Sequence, residues 1–289
     1  MIRDHLRREL LGNTLTFYGD HGGVRLAKRG GRVAIRKVLS VCHRSDIGVQ
    51  RTDAIPTIIY AAASDVVFKT QLSPSLYPTR DAVVNKPDTL PPQPIVGVLS
   101  GPWDLFREPW KEVPLYQSLE ERFLERKSWK ETQYYRERAR KINQGEPSWS
   151  LSSIDELDQR CEDIDSLYDS MKADGYVPQE TLIKRGADVL ETASPRTISI
   201  FGESYPDECR VGIGRNGEII RLGGGLHRLS VAKILDIDDV PLLVVVRHRK
   251  WKRKREKIAT TGSIDDLGEW GRQYLDHPDM QDVLPENKK

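Results

Sequence analysis

The chain has 289 residues, of which 38% are hydrophobic and 30% charged, a composition typical of a globular protein. Its 45 basic and 43 acidic side chains give a formal net charge of +2, so any attraction for nucleic acid or phosphate must come from local patches. Cys42, Cys161 and Cys209 are widely spaced, which argues against a disulfide framework or a thiolate zinc site and favours a reducing compartment.

The N-terminal residues are charged and are not followed by the apolar segment of a secretory signal. No stretch approaches the roughly 20 apolar residues that a membrane-spanning helix needs. The most apolar segments, Ile55–Val67 and Val240–Val246, predict buried strands or core helices instead. We therefore expect a cytoplasmic protein without a membrane span.

The first half of the chain divides by composition. Residues 1–73 predict a β-rich region, in which Thr57–Tyr60 is one candidate strand. Residues 74–94 contain six prolines and predict a linker or a long surface loop, because proline prevents regular pairing of the backbone. Residues 95–195 begin with a short apolar strand at Ile95–Leu99 and then become helical.

The clearest helix of this middle segment begins near Ser153. The sequence Ser153-Ile154-Asp155-Glu156 has the form of a capping box, and Gly175 is a natural C-terminal stop. Between them, apolar residues recur at spacings of three and four, which predicts one stripe that packs on the core. The stripe consists of Ile154, Leu157, Cys161, Ile164, Tyr168 and Met171.

The hydrophobic period changes after Thr197. Arg210–Ile213 and Glu218–Arg221 are alternating runs that flank an Asn-Gly pair, which is a strong hairpin signal. Three glycines, a helical run at Leu226–Leu235 and a buried strand at Val240–Val246 follow. The order hairpin, glycine turn, helix and buried strand is a compact layout for binding phosphate.

The glycine turn has a physical basis for this chemistry. The first turn of a helix has N–H groups without partners and carries the positive end of the macrodipole. Glycines ahead of it let a phosphate approach the backbone closely. Arg228 can grip a phosphate through two N–H groups, and His227 can donate to a phosphate oxygen or relay a proton. The alternative is that these residues form an ordinary solvated helix cap that binds no ligand.

The run Leu222–Lys233, followed by Asp239–Leu242, resembles the signature of the ParB/sulfiredoxin-like superfamily, with its G-x-H-R step and its "x-x-P-V" strand. That group includes partition proteins that bind CTP, sulfiredoxins that bind ATP and a free-serine kinase. The resemblance implies that a nucleoside triphosphate or diphosphate, with or without Mg²⁺, binds at the start of this helix. The contacts it implies come from Gly223, Gly224, Gly225, Leu226, His227 and Arg228.

Two positions depart from the pattern of that superfamily. Leu226 stands where sulfiredoxins have their reactive cysteine, so we expect no sulfiredoxin activity. Gly224 stands where the kinase has an aspartate that activates the acceptor. The candidate catalytic residues are therefore His227 and, among nearby carboxylates, Glu208, which would open the strand leading to the site. A solvated strand end is the alternative for Glu208.

A basic run follows the last predicted strand. Eight of the eleven residues in Arg247–Lys257 are Lys or Arg, and Trp251 lies among them. Such a run can bind nucleic acid, an anionic membrane surface or the outer phosphates of a ligand on the glycine turn, or it can be a solvated helix face. The candidate phosphate-binding residues are Arg247, Arg249, Lys250, Lys252, Arg253, Lys254 and Arg255.

Together these patterns predict an α+β protein. The ParB/sulfiredoxin-like phosphate-binding module is expected at residues 196–258, with a C-terminal tail and short helix at 259–289. Two functions stay open. One is a nucleotide-binding enzyme, a phosphotransferase or nucleotide hydrolase. The other is a non-catalytic, nucleic-acid-binding or partition-type module. No histidine or cysteine spacing predicts a metal site.

Overall fold

The computed structural model describes residues 56–71, 96–146, 151–185, 197–200 and 203–284. Residues 1–55, where further strands of the β-rich region are predicted, lie outside these ranges, as does the proline-rich stretch at 74–94. The described part combines helices with a mixed sheet, which confirms the predicted α+β class. None of the helices described is both long enough and apolar enough to cross a membrane.

The described ranges contain nine strands. They are β1 Thr57–Ala61, β2 Phe68–Thr70, β3 Gly97–Leu99, β4 Arg107–Pro109, β5 Thr197–Ile200, β6 Glu203–Pro206, β7 Cys209–Ile213, β8 Ile219–Gly223 and β9 Val240–His248. Strands β5 and β6 form a separate antiparallel pair, and the other seven form one sheet.

The seven-stranded sheet has the order β1-β9-β7-β8-β2-β4, and β3 pairs with the end of β9. Strand β9 is parallel to β7, and β8 is parallel to β2, whereas β1–β9, β7–β8 and β2–β4 are antiparallel pairs. Every residue of β9 is buried, as expected for a central strand covered on both faces. The sheet thus joins strands from three of the segments distinguished in the sequence.

Seven α-helices accompany the sheet within the described residues. They are α1 Pro114–Leu119, α2 Gln133–Asn143, α3 Ile154–Asp174, α4 Gln179–Arg185, α5 Leu226–Ile234, α6 Arg249–Ala259 and α7 Glu269–Arg272. Helices α1 and α3 both pack against α5, the helix that follows the glycine turn.

Helix α3 confirms the prediction made from its apolar stripe. The Ser153 hydroxyl accepts a hydrogen bond from the backbone N–H of Glu156 at 3.1 Å, and the helix ends at Asp174, directly before Gly175. Its buried residues, Leu157, Cys161, Ile164 and Met171, all belong to the predicted stripe. The stripe packs on the core, as amphipathic helices usually do.

The predicted hairpin is present as β7 and β8, but its turn differs from the two-residue form that an Asn-Gly pair favours. The backbone N–H of Gly217 donates to the carbonyl of Gly214 at 3.1 Å, and that of Gly214 donates to the carbonyl of Glu218 at 2.9 Å. Only Gly217 has a positive φ, 98°, because the loop has three residues, and one left-handed position is enough to close it.

Candidate anion-binding site

The glycine turn connects the buried end of β8 to the first turn of α5. Gly224 and Gly225 have φ values of 63° and 54°, in the left-handed region, and α5 begins at Leu226. Residues 224–228 are only partly buried, whereas the residues before them on β8 and after them on α5 are mostly buried. The first N–H groups of α5 therefore lie in a partly accessible part of the surface.

Both glycines lie directly against the start of β7. A Cβ atom on Gly225 would stand 3.0 Å from the Cβ of Cys209, and one on Gly224 would stand 3.2 Å from the carbonyl oxygen of Glu208. Side chains rarely adopt the backbone conformation of either position. The turn thus requires glycine both for its conformation and for its close packing.

Two arginines that the sequence did not single out flank this turn. Arg210 on β7 is 6% exposed, and its Nη2 lies 3.2 Å from the position of a Cβ on Gly224. Its Nε has no hydrogen-bond partner, and its nearest carboxylate oxygen, Oδ1 of Asp207, is 3.7 Å from Nη1. Arg221 on β8 donates from Nε to the carbonyl of Gly224 at 2.9 Å.

Neither guanidinium has a close carboxylate partner. No ion pair joins Arg221 to a carboxylate in the part of the chain that the structure describes, and the pair between Arg210 and Asp207 is long. Burial lowers the pKa of both arginines, since the charged form is poorly solvated there. One buried and one partly buried cation beside a helix N-terminus create a local positive field that favours a bound anion.

His227 lies in the same positive field. Burial lowers its pKa to about 4, and the positive charges of Arg160, Arg138 and Arg221 act in the same direction. The imidazole is therefore neutral at pH 7, with one nitrogen that donates and one that accepts. A neutral His227 on the first turn of α5 can donate a hydrogen bond to a phosphate oxygen, as the sequence predicts.

Arg228 and Glu208 form an ion pair with each other. Glu208 is 0% exposed, and its Oε2 accepts from Nη1 of Arg228 at 3.0 Å and from the hydroxyl of Tyr176 at 3.0 Å. Its Oε1 accepts from the backbone N–H of Gln179. The other terminal nitrogen of Arg228 donates to the carbonyl of Asp207. Burial raises the pKa of Glu208, although the positive charge of Arg228 opposes that rise.

This network holds the glycine turn in place, and neither the Arg228 guanidinium nor the Glu208 carboxylate is left free to react. Arg228 fastens the first turn of α5 to the start of β7, and both oxygens of Glu208 already accept hydrogen bonds. The catalytic role of Glu208 and the binding of phosphate by Arg228 stay predictions. Their geometry favours a positioning role for both residues. Leu226 packs against the core.

The basic run is divided between the core and the surface. Arg247 is 2% exposed and pairs with the buried carboxylate of Asp279, to which Nη2 donates at 2.6 Å and Nε at 3.0 Å. The indole N–H of Trp251 donates to the same carboxylate at 2.8 Å, and Arg255 makes a two-pronged pair with Asp282. These cations hold α6 and β9 to the C-terminal segment.

The remaining members of the run lie on or near the surface of α6. Lys252 pairs with Glu256 at 3.0 Å, and Lys254 donates to the hydroxyl of Tyr274 at 2.6 Å. Arg249 is partly buried, whereas Lys250 and Arg253 are exposed. The predicted phosphate patch therefore stays a prediction for its exposed members.

Within the described ranges, no group of three His, Cys, Asp or Glu side chains is placed to hold a metal ion. Comparisons of the chain with protein-family models, with curated proteins and with solved structures find no match.

Proposed function

We propose that this chain binds a nucleoside triphosphate or diphosphate, with its phosphates at the glycine turn of a ParB/sulfiredoxin-like module. The observation that carries the proposal is the pair Arg210 and Arg221, one buried and one partly buried cation, which flank the turn without a close carboxylate partner. A buried cation that lacks a partner is costly in the free protein, and an anionic ligand removes that cost.

Three further features support the same function. The free N–H groups of α5 and its macrodipole favour an anion at the turn. The neutral imidazole of His227 supplies a hydrogen-bond donor there. The G-x-H-R step at Gly225–Arg228 resembles the phosphate-binding step of the superfamily.

The proposal favours binding over phosphoryl transfer. A general base must be free to take a proton from the attacking group. Glu208, the carboxylate predicted for that role, is fully buried and accepts hydrogen bonds on both of its oxygens. Nucleotide then acts as a bound ligand or as a switch, and Mg²⁺ would bind through the phosphates.

Calorimetric titration with ATP, ADP, CTP and GTP, each with and without Mg²⁺, tests this function. We expect at least one nucleotide to bind, and we expect Arg221→Gln to weaken that binding by about tenfold or more, the scale of a lost charge-assisted hydrogen bond. Arg136→Gln, an exposed arginine on α2, is the matched control and should not change the affinity. Equal affinities for wild type and Arg221→Gln would contradict the proposal.

A second candidate function is nucleic-acid binding by the exposed side of α6. Lys250, Arg253 and Lys257 are exposed at helical spacing, and no ion pair joins them to a carboxylate among the residues described. Lys257 lies over the ring of Trp270, with its Nζ 4.0 Å from the ring centroid. Cations next to a partly exposed aromatic ring are typical of surfaces that contact a phosphate backbone.

Salt dependence distinguishes the two functions. If the three cations neutralise DNA phosphates, replacing them together by Gln should flatten the plot of log affinity against log salt by about 2 to 3 units. Nucleotide binding should not change, because β9 ends beside Ile213, at the opposite end of β7 from the Cys209 that the glycine turn contacts, and α6 begins there. Absence of salt-dependent retention of DNA or RNA by the wild type excludes the second function.

A further inference from the structure

We propose that His248 and His277 form an acid-sensitive switch, in which a second proton on either ring releases the β7–β8 loop from the helix starts that hold it. Each member of this histidine pair stands directly before a helix. His248 precedes α6, and His277 precedes the 3₁₀ helix Pro278–Val283. The inference does not depend on nucleotide binding, because the β7–β8 loop lies at the opposite ends of these strands from the glycine turn.

Each ring caps the helix that follows it. The backbone N–H of Lys250 donates to Nδ1 of His248 at 3.0 Å, and that of Asp279 donates to Nδ1 of His277 at 3.0 Å. These bonds satisfy N–H groups that the start of a helix leaves without partners. A ring nitrogen that accepts a hydrogen bond carries no proton, so both rings are neutral in this arrangement.

The other nitrogen of each ring holds the β7–β8 loop. Nε2 of His277 donates to the carbonyl of Gly217 at 2.7 Å. Nε2 of His248 donates to the carbonyl of Gly101 at 3.0 Å, and the same carbonyl accepts from Nη2 of Arg215 at 3.1 Å. Gly217 and Arg215 both belong to the β7–β8 loop, which is therefore tied to both helix starts through the histidine pair.

Packing leaves neither ring much room to turn. The ring centroids of His277 and Trp251 are 4.5 Å apart, and a Cβ on Gly217 would lie 3.3 Å from Cδ2 of His277. His248 is 3% exposed, and its ring lies 6.2 Å from that of Trp103. A proton on Nδ1 would therefore point at a backbone N–H, and two donors that face each other form no hydrogen bond.

The charges around His248 come from three elements. Burial is the largest influence and lowers the pKa of His248. Asp104 favours the protonated ring, whereas Arg215 and Lys250 oppose it. The carboxylate of Asp104 already accepts hydrogen bonds from Nε and Nη2 of Arg215. Protonation of His248 is therefore unfavourable as long as the loop stays in place.

The surroundings of His277 have the same balance. Burial lowers its pKa, and Arg255 of α6 acts in the same direction, whereas Asp279 and Asp65 oppose that change. The N–H that caps on His277 belongs to Asp279, whose carboxylate pairs with Arg247. Loss of this cap therefore also loosens the contact that fastens the C-terminal segment.

The direction of the pH effect follows from these shifts. Both histidines have a lower pKa in the closed structure than the ordinary value of about 6.5 that they regain when the structure opens. The opened form then binds more protons. The contribution of the histidine pair is complete above about pH 6.5 and is lost as the pH falls below it, with opening favoured up to about tenfold per pH unit for each histidine.

Hydrogen exchange on the wild-type chain tests the switch locally. We expect the protection of the Lys250 and Asp279 amides, corrected for the intrinsic exchange rate, to fall between about pH 7 and about pH 5 by up to tenfold per pH unit. Amides in the middle of β9 should change less, because that strand does not depend on the histidine pair. Protection of the two capping amides that does not change with pH would overturn the proposal.

Substitution by asparagine separates the proton from the cap. The side-chain oxygen of Asn can accept from the same backbone N–H at every pH. The double variant His248→Asn, His277→Asn should therefore lose stability less steeply than the wild type below about pH 6.5, even where it is less stable at high pH. Ser153→Ala, which removes the hydroxyl cap of α3, is the control and should shift the curve equally at each pH. Parallel pH curves for the double variant and the wild type would contradict the inference.

Discussion

The glycine turn and the basic run use the same residue type in opposite ways. In the basic run, Arg247 and Arg255 contact the carboxylates of Asp279 and Asp282 at short distances. At the glycine turn, Arg210 has only a carboxylate oxygen at 3.7 Å. The run is rich in cations in the sequence, yet its buried members are neutralised within the fold. The strands beside the turn contain few cations in the sequence, yet Arg210 and Arg221 are left without close carboxylate partners.

This contrast shows that a high density of basic residues in the sequence does not by itself identify an anion-binding site. A matched pair of buried charges contributes to architecture, because removing either partner leaves the other uncompensated. An unmatched buried cation adds nothing to the stability of the free protein, so its presence points to a ligand.

The largest effect is expected at Asp279. Its carboxylate is fully buried and binds Arg247 and Trp251, with Arg255 at 3.5 Å. Asp279→Asn should lower the free energy of unfolding by about 3 to 5 kcal/mol, because it leaves a buried arginine without its counter-charge. Urea denaturation measures the change.

Asp282 provides the control for that prediction. It pairs with the same Arg255 but its side chain is 62% exposed. Asp282→Asn should therefore cost less than about 1 kcal/mol, as exposed ion pairs do. Equal losses for the two variants would show that burial of the Asp279 cluster does not hold the C-terminal segment in place.

A smaller loss of stability is expected at the glycine turn itself. Gly225→Ala introduces a Cβ at a φ of 54° and places it 3.0 Å from the Cβ of Cys209. We expect a cost of about 1 to 2 kcal/mol from the backbone conformation, together with weaker nucleotide binding because the turn is displaced. Gly262→Ala is the control, since a Cβ there meets nothing within 4 Å. A Gly225→Ala variant that binds nucleotide normally would contradict the proposed role of the turn.

The smallest expected effect is the uptake of a fraction of a proton by the protein when a phosphate binds near His227. The pKa of His227 is about 4 in the free protein, held down by burial and by the charges of Arg160, Arg138 and Arg221. A bound phosphate adds negative charge and raises that pKa, so binding takes up protons, and the affinity increases as the pH falls through the interval between the raised pKa of the complex and the pKa of about 4 of the free protein.

Calorimetry in buffers of different ionisation enthalpy measures this uptake. Protonation of the phosphate contributes to both proteins, so the relevant quantity is the difference between wild type and His227→Gln. We expect the wild type to take up more protons at pH 6. The same uptake in both proteins would place His227 outside the influence of the bound anion.

Several elements follow from local sequence patterns. Strand β1, the β7–β8 hairpin, α3, α5 and β9 all lie where alternation, helical spacing and glycine positions predict them. The stop of α3 before Gly175 follows from its C-terminal capping preference. These features depend on residues close together in the chain, and so a single sequence contains their signal.

The rest depends on contacts between distant residues. Arg210 and Arg221 occur in predicted strands, but only the pairing of β7 with β8 places them together beside Gly224. Asp279 stands in a stretch that resembles a simple turn, and nothing near it in the sequence indicates that it neutralises Arg247, 32 residues earlier. The parallel pairing of β2 with β8 likewise joins segments that composition alone separates.

The stability of an Arg210→Met variant tests the central contrast most directly. Methionine fills a similar space without a charge, so in the absence of ligand the free energy of unfolding should stay within about 1 kcal/mol of the wild-type value or increase. Pyrophosphate should stabilise the wild type in proportion to its occupancy and should stabilise Arg210→Met far less. A variant that loses several kcal/mol without ligand, while pyrophosphate leaves the wild type unchanged, would contradict the account, because Arg210 would then be part of the architecture, as Arg247 is.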